Sequence, residues 1–210
     1  MTNNIEHLIN LMDFSDPDKF YLVECMQRKK DITDLDRSIR LIKTYCIHSC
    51  EQLHKLMPEI IKLCDTFNAR AYMYINRRSK RSVGRAMLKT LADYIYSDQY
   101  DKLNGLFVSE CGKHSAGDKR WILDIDNPSI PFEHVKRVCD VFCDTSHDIE
   151  PVGCKLIGAV PTKHGFHLIT SPFDLRELPK IKDTLAGLLW TDNLDIELKK
   201  DAMVNLYIPD

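Results

Sequence analysis

The chain has 210 residues, of which 44% are hydrophobic and 29% are charged. This composition supports a packed core and excludes intrinsically disordered, collagen-like and low-complexity chains. No apolar run approaches the ~20 residues of a membrane-spanning helix, so no membrane partner is expected. The N-terminal segment MTNNIEHLIN has no basic stretch and is not expected to be a secretory signal. We therefore expect a cytoplasmic protein with free thiols, with a phage or plasmid as a candidate source.

Hydrophobic periodicity predicts alternating strands and helices in the first half of the chain. The predicted strands cover 20–26, 38–47 and 69–76, and the predicted helices cover 51–67 and 79–96. Pro58 predicts either a kink in the first helix or a helix that begins there. In the second helix the inward positions are predicted to be Val83, Met87, Leu88, Leu91 and Ile95.

The second half begins with a polar loop at 111–118. Beyond it, strands are predicted over 119–126, 153–160, 166–170, 194–198 and 203–208, and helices over 131–144 and 178–189. This order predicts an α+β (α/β) fold with a mixed sheet and flanking helices. We expect a single catalytic-type domain over 1–210, with an N-terminal lobe over about 1–105 and a C-terminal lobe over about 106–210.

Basic residues are concentrated between Arg70 and Lys89, a stretch without any acidic residue. A local cationic face of this kind predicts contact with nucleic-acid phosphates. The candidates for this contact are Arg77, Arg78, Arg81 and Arg85. Tyr72 and Tyr74 either stack on bases or face the core, and the alternative for the basic stretch is a solvated helix face.

A pair of aspartates, Asp124 and Asp126, ends the apolar strand WILDID. At i and i+2 of a strand their side chains share one face, with Cα atoms roughly 7 Å apart. Such a pair could hold Mg²⁺ or Mn²⁺, or could cap the turn that follows. A third metal-binding acid is expected near the C-terminus, with Asp195 preferred over Glu197 and Asp201.

The segment TKHGFH, residues 162–167, combines a glycine turn with a histidine. Gly165 permits close approach of the backbone to a ligand, and His167 projects from the same strand face. Lys163 and His164 offer phosphate donors in the turn. The alternative is a hairpin glycine followed by a hydrogen-bonded core histidine. Further phosphate-binding candidates from the polar loop and its end are Lys113, His114 and Arg120.

Together, ILDID at 122–126 and TKHGFH at 162–167 resemble the first two motifs of the archaeo-eukaryotic primase superfamily. The resemblance implies a two-lobed primase-polymerase core with an RRM-like C-terminal half. It implies Mg²⁺ or Mn²⁺ bound by Asp124, Asp126 and Asp195, and a nucleoside triphosphate bound by His167 with Lys163 or His164. The implied activity is nucleotidyl transfer that makes or extends primers. Its partners would be a single-stranded DNA template and nucleoside triphosphates, with a replicative helicase in trans as a further candidate.

Two other function classes stay open. Asp124 with the Glu197-Leu198-Lys199 tripeptide forms a D…ExK pattern, which is typical of a metal-dependent nuclease. A non-catalytic nucleic-acid-binding module would use the basic stretch alone. Cys46, His48 and Cys50 could hold zinc, although no fourth ligand is evident.

Overall fold

The computed structural model describes residues 2–29, 31–32, 38–144, 156–192 and 194–209, without the side chains of 141–144. The strands are Thr2–Asn3 (β1), Lys19–Arg28 (β2), Ile39–Ile47 (β3), Arg70–Tyr74 (β4), Arg78–Ser79 (β5), Trp121–Ile125 (β6), Leu156–Pro161 (β7), Phe166–Thr170 (β8), Glu197–Lys199 (β9) and Met203–Ile208 (β10). The α-helices are Ile5–Ile9 (α1), Cys50–Phe67 (α2), Lys80–Tyr96 (α3), Leu106–Lys113 (α4), Phe132–Asp144 (α5) and Leu178–Leu188 (α6). These elements form the predicted mixture of α and β structure.

The chain divides into two compact units. One, here called the insert unit, covers residues 13–118, and the other, the split unit, combines residues 1–12 with 119–208. These bounds differ in extent from the lobes expected from the sequence, which met near residue 105.

The insert unit is built on an antiparallel sheet in the order β3-β2-β4, with β5 also paired to β2. Helix α2 begins at Cys50, because the Ser49 side chain accepts a hydrogen bond from the Gln52 N–H. Pro58 therefore lies inside the helix and does not start it. Helix α3 begins in the same way after Ser79, whose hydroxyl accepts from the Ser82 N–H.

Some predictions for the insert unit were wrong in detail. Leu88 and Ile95 of α3 were expected to face inward but are 71% and 47% exposed, and Val83 is the fully buried residue on that helix. The polar loop expected at 111–118 is helical through Lys113 at its start, because Leu106 and Cys111 supply an apolar face that is buried.

The split unit contains a β-α-β-β-α-β succession, from β6 through α5, β7, β8 and α6 to β9. Its sheet has the strand order β7-β8-β6-β9, and its pairings are antiparallel. This is the split-βαβ arrangement. The mixed sheet predicted from the sequence is thus corrected to antiparallel pairing, because hairpin and crossover connections here return each strand beside an oppositely directed neighbour.

One face of this sheet packs against the two helices. Leu123, Ile125, Phe166 and Leu168 contribute to a core with Val135 and Cys139 of α5 and Ile181 and Leu185 of α6. Cys139 is buried in this core, whereas the side chains of Cys143 and Cys154 lie outside the described residues. Because strand residues alternate between faces, Ile122, Asp124, His167 and Lys199 lie on the opposite face.

The N-terminal residues of the split unit pack beside the sheet. The Asn4 side chain donates from Nδ2 to the carbonyls of Pro161 and Asn205, at 2.9 and 2.8 Å. Strand β1 pairs with β10, and Leu11 fills the space beside Gly158. The predicted strand 194–198 is shorter and later than expected, since β9 begins only at Glu197.

Candidate active site

Asp124 lies on β6, an interior strand of the four-stranded sheet, on the face opposite the core formed with α5 and α6. In the strand register it stands directly opposite His167 on β8 and opposite Glu197 on β9. Directly opposed residues of antiparallel strands project to the same side, with Cβ atoms about 5 Å apart. The fold therefore brings together three residues that are separated by up to 73 positions in the chain.

Both carboxylate oxygens of Asp124 have cationic or polar partners. Oδ1 lies 3.0 Å from Nε2 of His167, and Oδ2 accepts a hydrogen bond from the Lys199 ammonium. Nζ of Lys199 is also 3.2 Å from Oε2 of Glu197. Lys199 thus links two carboxylates that come from neighbouring strands.

The electrostatics of Asp124 follow from these contacts. Burial raises the pKa of this carboxyl group, but the hydrogen bonds from His167 and Lys199 outweigh burial and lower the pKa to about 2. For Lys199, burial lowers the pKa of the ammonium, and the ion pair with Asp124 reverses this to a net rise. Asp124 is therefore ionised at neutral pH, and its charge is neutralised by Lys199.

His167 is buried, with 7% of its surface exposed. Its Nδ1 atom is enclosed and has no hydrogen-bond partner among the described residues, and the same holds for Oγ1 of Thr170. A buried ring nitrogen without a partner costs free energy unless a ligand or water satisfies it. His167 is therefore held on Asp124 through one nitrogen, while the other remains a polar group available to a further partner.

Gly165 sets the distance between the turn and the end of β6. A Cβ atom at this position would lie 2.0 Å from the Ile125 carbonyl oxygen and 3.0 Å from Cα of Asp126, so only glycine fits. The turn is closed by the Thr162 N–H, which donates to the Gly165 carbonyl at 2.9 Å. Lys163 and His164 are exposed in this turn.

Asp126 and Asp195 are exposed residues at the ends of neighbouring strands. The observed pairing of β6 with β9 ends at Asp124 and Glu197, so Asp126 and Asp195 both lie just beyond the paired residues. Glu197 is exposed and Asp201 lies beyond β9. The preference for Asp195 over the other two acids therefore stays a prediction.

Asp124, Asp126 and Asp195 would offer a metal ion only carboxylate oxygens, which are the ligands that hard divalent cations prefer. In the described part of the chain, however, no three His, Cys, Asp or Glu side chains are close enough together to hold a metal ion. Asp126 and Asp195 are free of the Lys199 ion pair, whereas Asp124 could join them only with Lys199 displaced from Oδ2. The zinc site considered at Cys46, His48 and Cys50 likewise has no such cluster among the residues described.

The other predicted phosphate-binding residues have local partners. Arg120 donates to the Leu11 carbonyl within the split unit. In the insert unit, Lys113 and His114 lie 2.8 and 3.4 Å from the two carboxylate oxygens of Glu110. Each of these side chains thus has a structural contact in addition to any role in binding.

The four arginines of the predicted basic face fall into a buried pair and an exposed pair. Arg77 is 7% exposed and pairs with Asp13 and Asp118, and Arg78 is fully buried with its guanidinium 4.3 Å from the centre of the Tyr74 ring. The expectation that these two arginines face a nucleic acid is therefore wrong for the structure described. Arg81 and Arg85 are exposed on α3, as the helical spacing predicted.

The two tyrosines within the basic stretch serve the core. Tyr72 is buried and its hydroxyl accepts a hydrogen bond from Arg28, and Tyr74 lies beneath Arg78.

Sequence reasoning did not assign Lys199 to the predicted metal and nucleotide site, although its position two residues after Glu197 sets both on one strand face. This spacing of two residues was the feature of the sequence that could have identified Lys199.

Comparisons with family models, with curated proteins and with solved structures gave no match for this chain. No α-helix in the described residues has the length and apolar character needed to cross a membrane.

Proposed function

We propose that this chain is a Mg²⁺- or Mn²⁺-dependent nucleotidyltransferase that makes or extends primers on single-stranded DNA. The observation that carries the proposal is the cross-strand pair of Asp124 and His167, whose Oδ1 and Nε2 atoms lie 3.0 Å apart. The two residues come from the two separate sequence motifs that resemble those of primases. A shared site was implied by that resemblance, and their contact supports it.

The acids would hold the cation and the turn would hold phosphate. Asp126 and Asp195 offer exposed carboxylates just beyond the paired residues of β6 and β9, whose last pair is Asp124 and Glu197. A divalent cation held there would favour the 3′-alkoxide and neutralise the leaving pyrophosphate. Lys163 and His164 would bind triphosphate oxygens, because Gly165 keeps their turn against the Asp126 backbone.

His167 and Lys199 prepare Asp124 for this role. His167 orients the carboxylate through Oδ1, and its buried Nδ1 can hydrogen-bond to a phosphate or a bound water. Lys199 keeps the carboxylate ionised and neutralised until a cation takes its place. The proposal includes a DNA template, nucleoside triphosphates and a helicase in trans as partners, in a cytoplasmic setting.

The test is nucleotide incorporation on a primed and an unprimed single-stranded template, with Mn²⁺ or Mg²⁺. We expect product from the wild-type protein and none above background from Asp124→Ala/Asp126→Ala. Asp183→Ala removes an exposed acid from α6 and serves as the matched control. Equal product from the double variant would contradict the proposal, and binding without synthesis in the wild type would indicate a non-catalytic module.

A metal-dependent nuclease is the second candidate, favoured by one contact. Lys199 lies against both Asp124 and Glu197, so the D…ExK residues are assembled on neighbouring strands. In that reaction Lys199 would assist the attacking water and Glu197 would bind metal. Metal-dependent degradation of labelled DNA that requires Glu197 and proceeds without nucleoside triphosphates would favour the nuclease over the transferase.

A further inference from the structure

A solvent-open cavity of about 420 Å³ lies in the split unit, where the end of α6 meets the start of α5. Its volume is within the ~300–1,000 Å³ typical of small-molecule sites. Its lining combines aromatic, polar and oppositely charged side chains, among them Asn127, Ser129, Glu133, His134, Arg137 and Trp190. We call this cavity the Trp190 pocket. Its residue Asn127 immediately follows Asp126, so the pocket adjoins the candidate active site in the chain.

Trp190 has an unusual backbone conformation. Its φ angle is +54°, in the left-handed region that large side chains rarely adopt. It follows the helix C-cap, and the N–H groups of Trp190 and Thr191 donate to the carbonyls of Gly187 and Ala186 at 3.3 and 3.0 Å. This is a Schellman motif, in which the left-handed position is usually glycine. A tryptophan here has a conformational cost that glycine would avoid.

In this conformation the indole of Trp190 is exposed to solvent. Trp190 is 84% exposed, although a ring of this size is normally buried. Its ring lies 4.4 Å from the imidazole of His134, at an interplanar angle of 32°. The His134 ring is fixed in turn by Nε2, which is 3.0 Å from the Leu188 carbonyl oxygen. The result is a supported aromatic platform whose outer surface is open.

Strained, exposed aromatic groups of this kind are expected where a ligand uses them. A flat aromatic surface with a cation beside it is the chemistry that binds unpaired nucleobases, which stack on the ring while arginine contacts phosphate. Arg137 lies exposed on the pocket wall, one helical turn after His134. Asn127, Ser129 and Thr191 add polar groups at the base edge.

We propose that the Trp190 pocket binds one unpaired base of a single-stranded nucleic acid by stacking on Trp190. This inference rests on the proposed function in one respect, because it takes nucleic acid as the substrate. It assigns a contact with the nucleic-acid strand that is separate from the metal-binding acids.

The experiment measures the binding of single-stranded DNA without divalent cations, so that no metal-dependent reaction takes place. The chain has two tryptophans, and the Trp121→Phe background leaves Trp190 as the reporter. The probe is an oligothymidylate of about 15 nucleotides, titrated in EDTA while tryptophan emission is followed. An abasic strand of equal length and free dTTP are titrated in parallel.

We expect the oligothymidylate to quench Trp190, and the abasic strand and dTTP to do so only at much higher concentration. In a labelled-strand assay Trp190→Gly should bind about tenfold more weakly, while Trp190→Phe should remain within about threefold of wild type. Because glycine suits the left-handed position, Trp190→Gly should fold with unchanged or higher stability. The loss of binding then cannot be assigned to unfolding.

Salt dependence separates stacking from charge. Trp190→Gly should leave the slope of log affinity against log salt unchanged, and Arg137→Ala should reduce it by about 1. Equal binding by Trp190→Gly and wild type, or equal quenching by the abasic strand, would overturn the inference. Quenching by dTTP in preference to the strand would also overturn it, since the ligand would be a free nucleotide.

Failure of this inference and failure of the proposed function are distinguishable. Asp124→Ala/Asp126→Ala should lose synthesis and keep strand binding, whereas Trp190→Gly should lose binding and keep the metal-binding acids. Absence of strand binding by the wild-type protein would overturn the pocket assignment, and nucleotide incorporation would still decide the activity separately.

Discussion

The two charged motifs of this chain, one around Asp124 and one from Arg70 to Lys89, have different structural outcomes. The residues around Asp124 come from three strands and converge on one sheet face, where Lys199 and His167 contact a single carboxylate. The basic stretch is continuous in the sequence but is divided by the fold. Arg77 and Arg78 are buried, while Arg81 and Arg85 are exposed.

The difference shows that the secondary-structure element on which a residue lies decides whether its charged side chain is buried or exposed. Arg78 lies on β5, a strand paired to the buried β2, so its guanidinium is taken into the interior beside Tyr74 and near Glu24. Arg81 lies on α3, only one turn further along, where one side of the helix faces solvent. Two cations three residues apart in one motif can therefore differ completely in burial.

The largest expected effect is at Arg78. Burial raises the pKa of Glu24, and the charge of Arg78 opposes this rise. Arg78→Ala would leave that buried carboxyl group without its compensating cation, so we expect a loss of about 3–5 kcal/mol in unfolding free energy. Urea denaturation would measure the loss, with Arg81→Ala as the exposed control, expected to change stability by no more than about 0.5 kcal/mol. Equal effects would remove the distinction between buried and exposed arginines.

The next effect concerns the turn that supports the Asp124 site. Gly165→Ala would set a methyl group against the Ile125 carbonyl, so the turn must move away from Asp126. We expect a destabilisation of about 1–3 kcal/mol together with loss of nucleotide incorporation. Gly112→Ala is the matched control, because a Cβ there meets nothing within 4 Å. Full activity and stability in Gly165→Ala would contradict the tight packing described.

A smaller effect is expected from the titration of Asp124. Its folded-state pKa of about 2 is below the ordinary value of 3.8, so the unfolded chain binds the proton first as pH falls. The stabilisation from this carboxylate is present above about pH 4 and is lost as the pH falls to about 2, by about 2 kcal/mol. The stability difference between wild type and Asp124→Asn should shrink across that window. Denaturation curves at several pH values, with Asp183→Asn as control, would test this, and a constant difference would be contrary evidence.

The smallest effect on folding, and the clearest on binding, is expected for Arg81 and Arg85. Single alanine variants should keep wild-type stability and should each reduce the salt slope of single-strand binding by about 1. Fluorescence anisotropy over a range of salt concentrations would measure the slopes. An unchanged slope in both variants would make this helix face a solvated surface, which was the alternative reading of the sequence.

Much of the secondary structure could be predicted, because periodicity reports which face of an element is buried. The strands around Phe20, Ala71 and Ile122 and the helices α2, α3, α5 and α6 lie close to where hydrophobic patterning put them. The inward assignment of Leu88 and Ile95 failed, since a helix pattern does not show where its packing partner ends. Strand direction was also beyond the sequence, because pairing depends on contacts between distant segments.

By itself, the sequence determined the local elements and the short motifs, including the glycine and histidine of TKHGFH and the aspartates of WILDID. Local periodicity and turn chemistry act over a few residues, so they can be read directly. Only the tertiary structure decided that Lys199 pairs with Asp124, that Arg78 is buried and that Trp190 is presented by a left-handed helix end. Each of these depends on strand register or on packing between segments far apart in the chain, which composition and spacing do not encode.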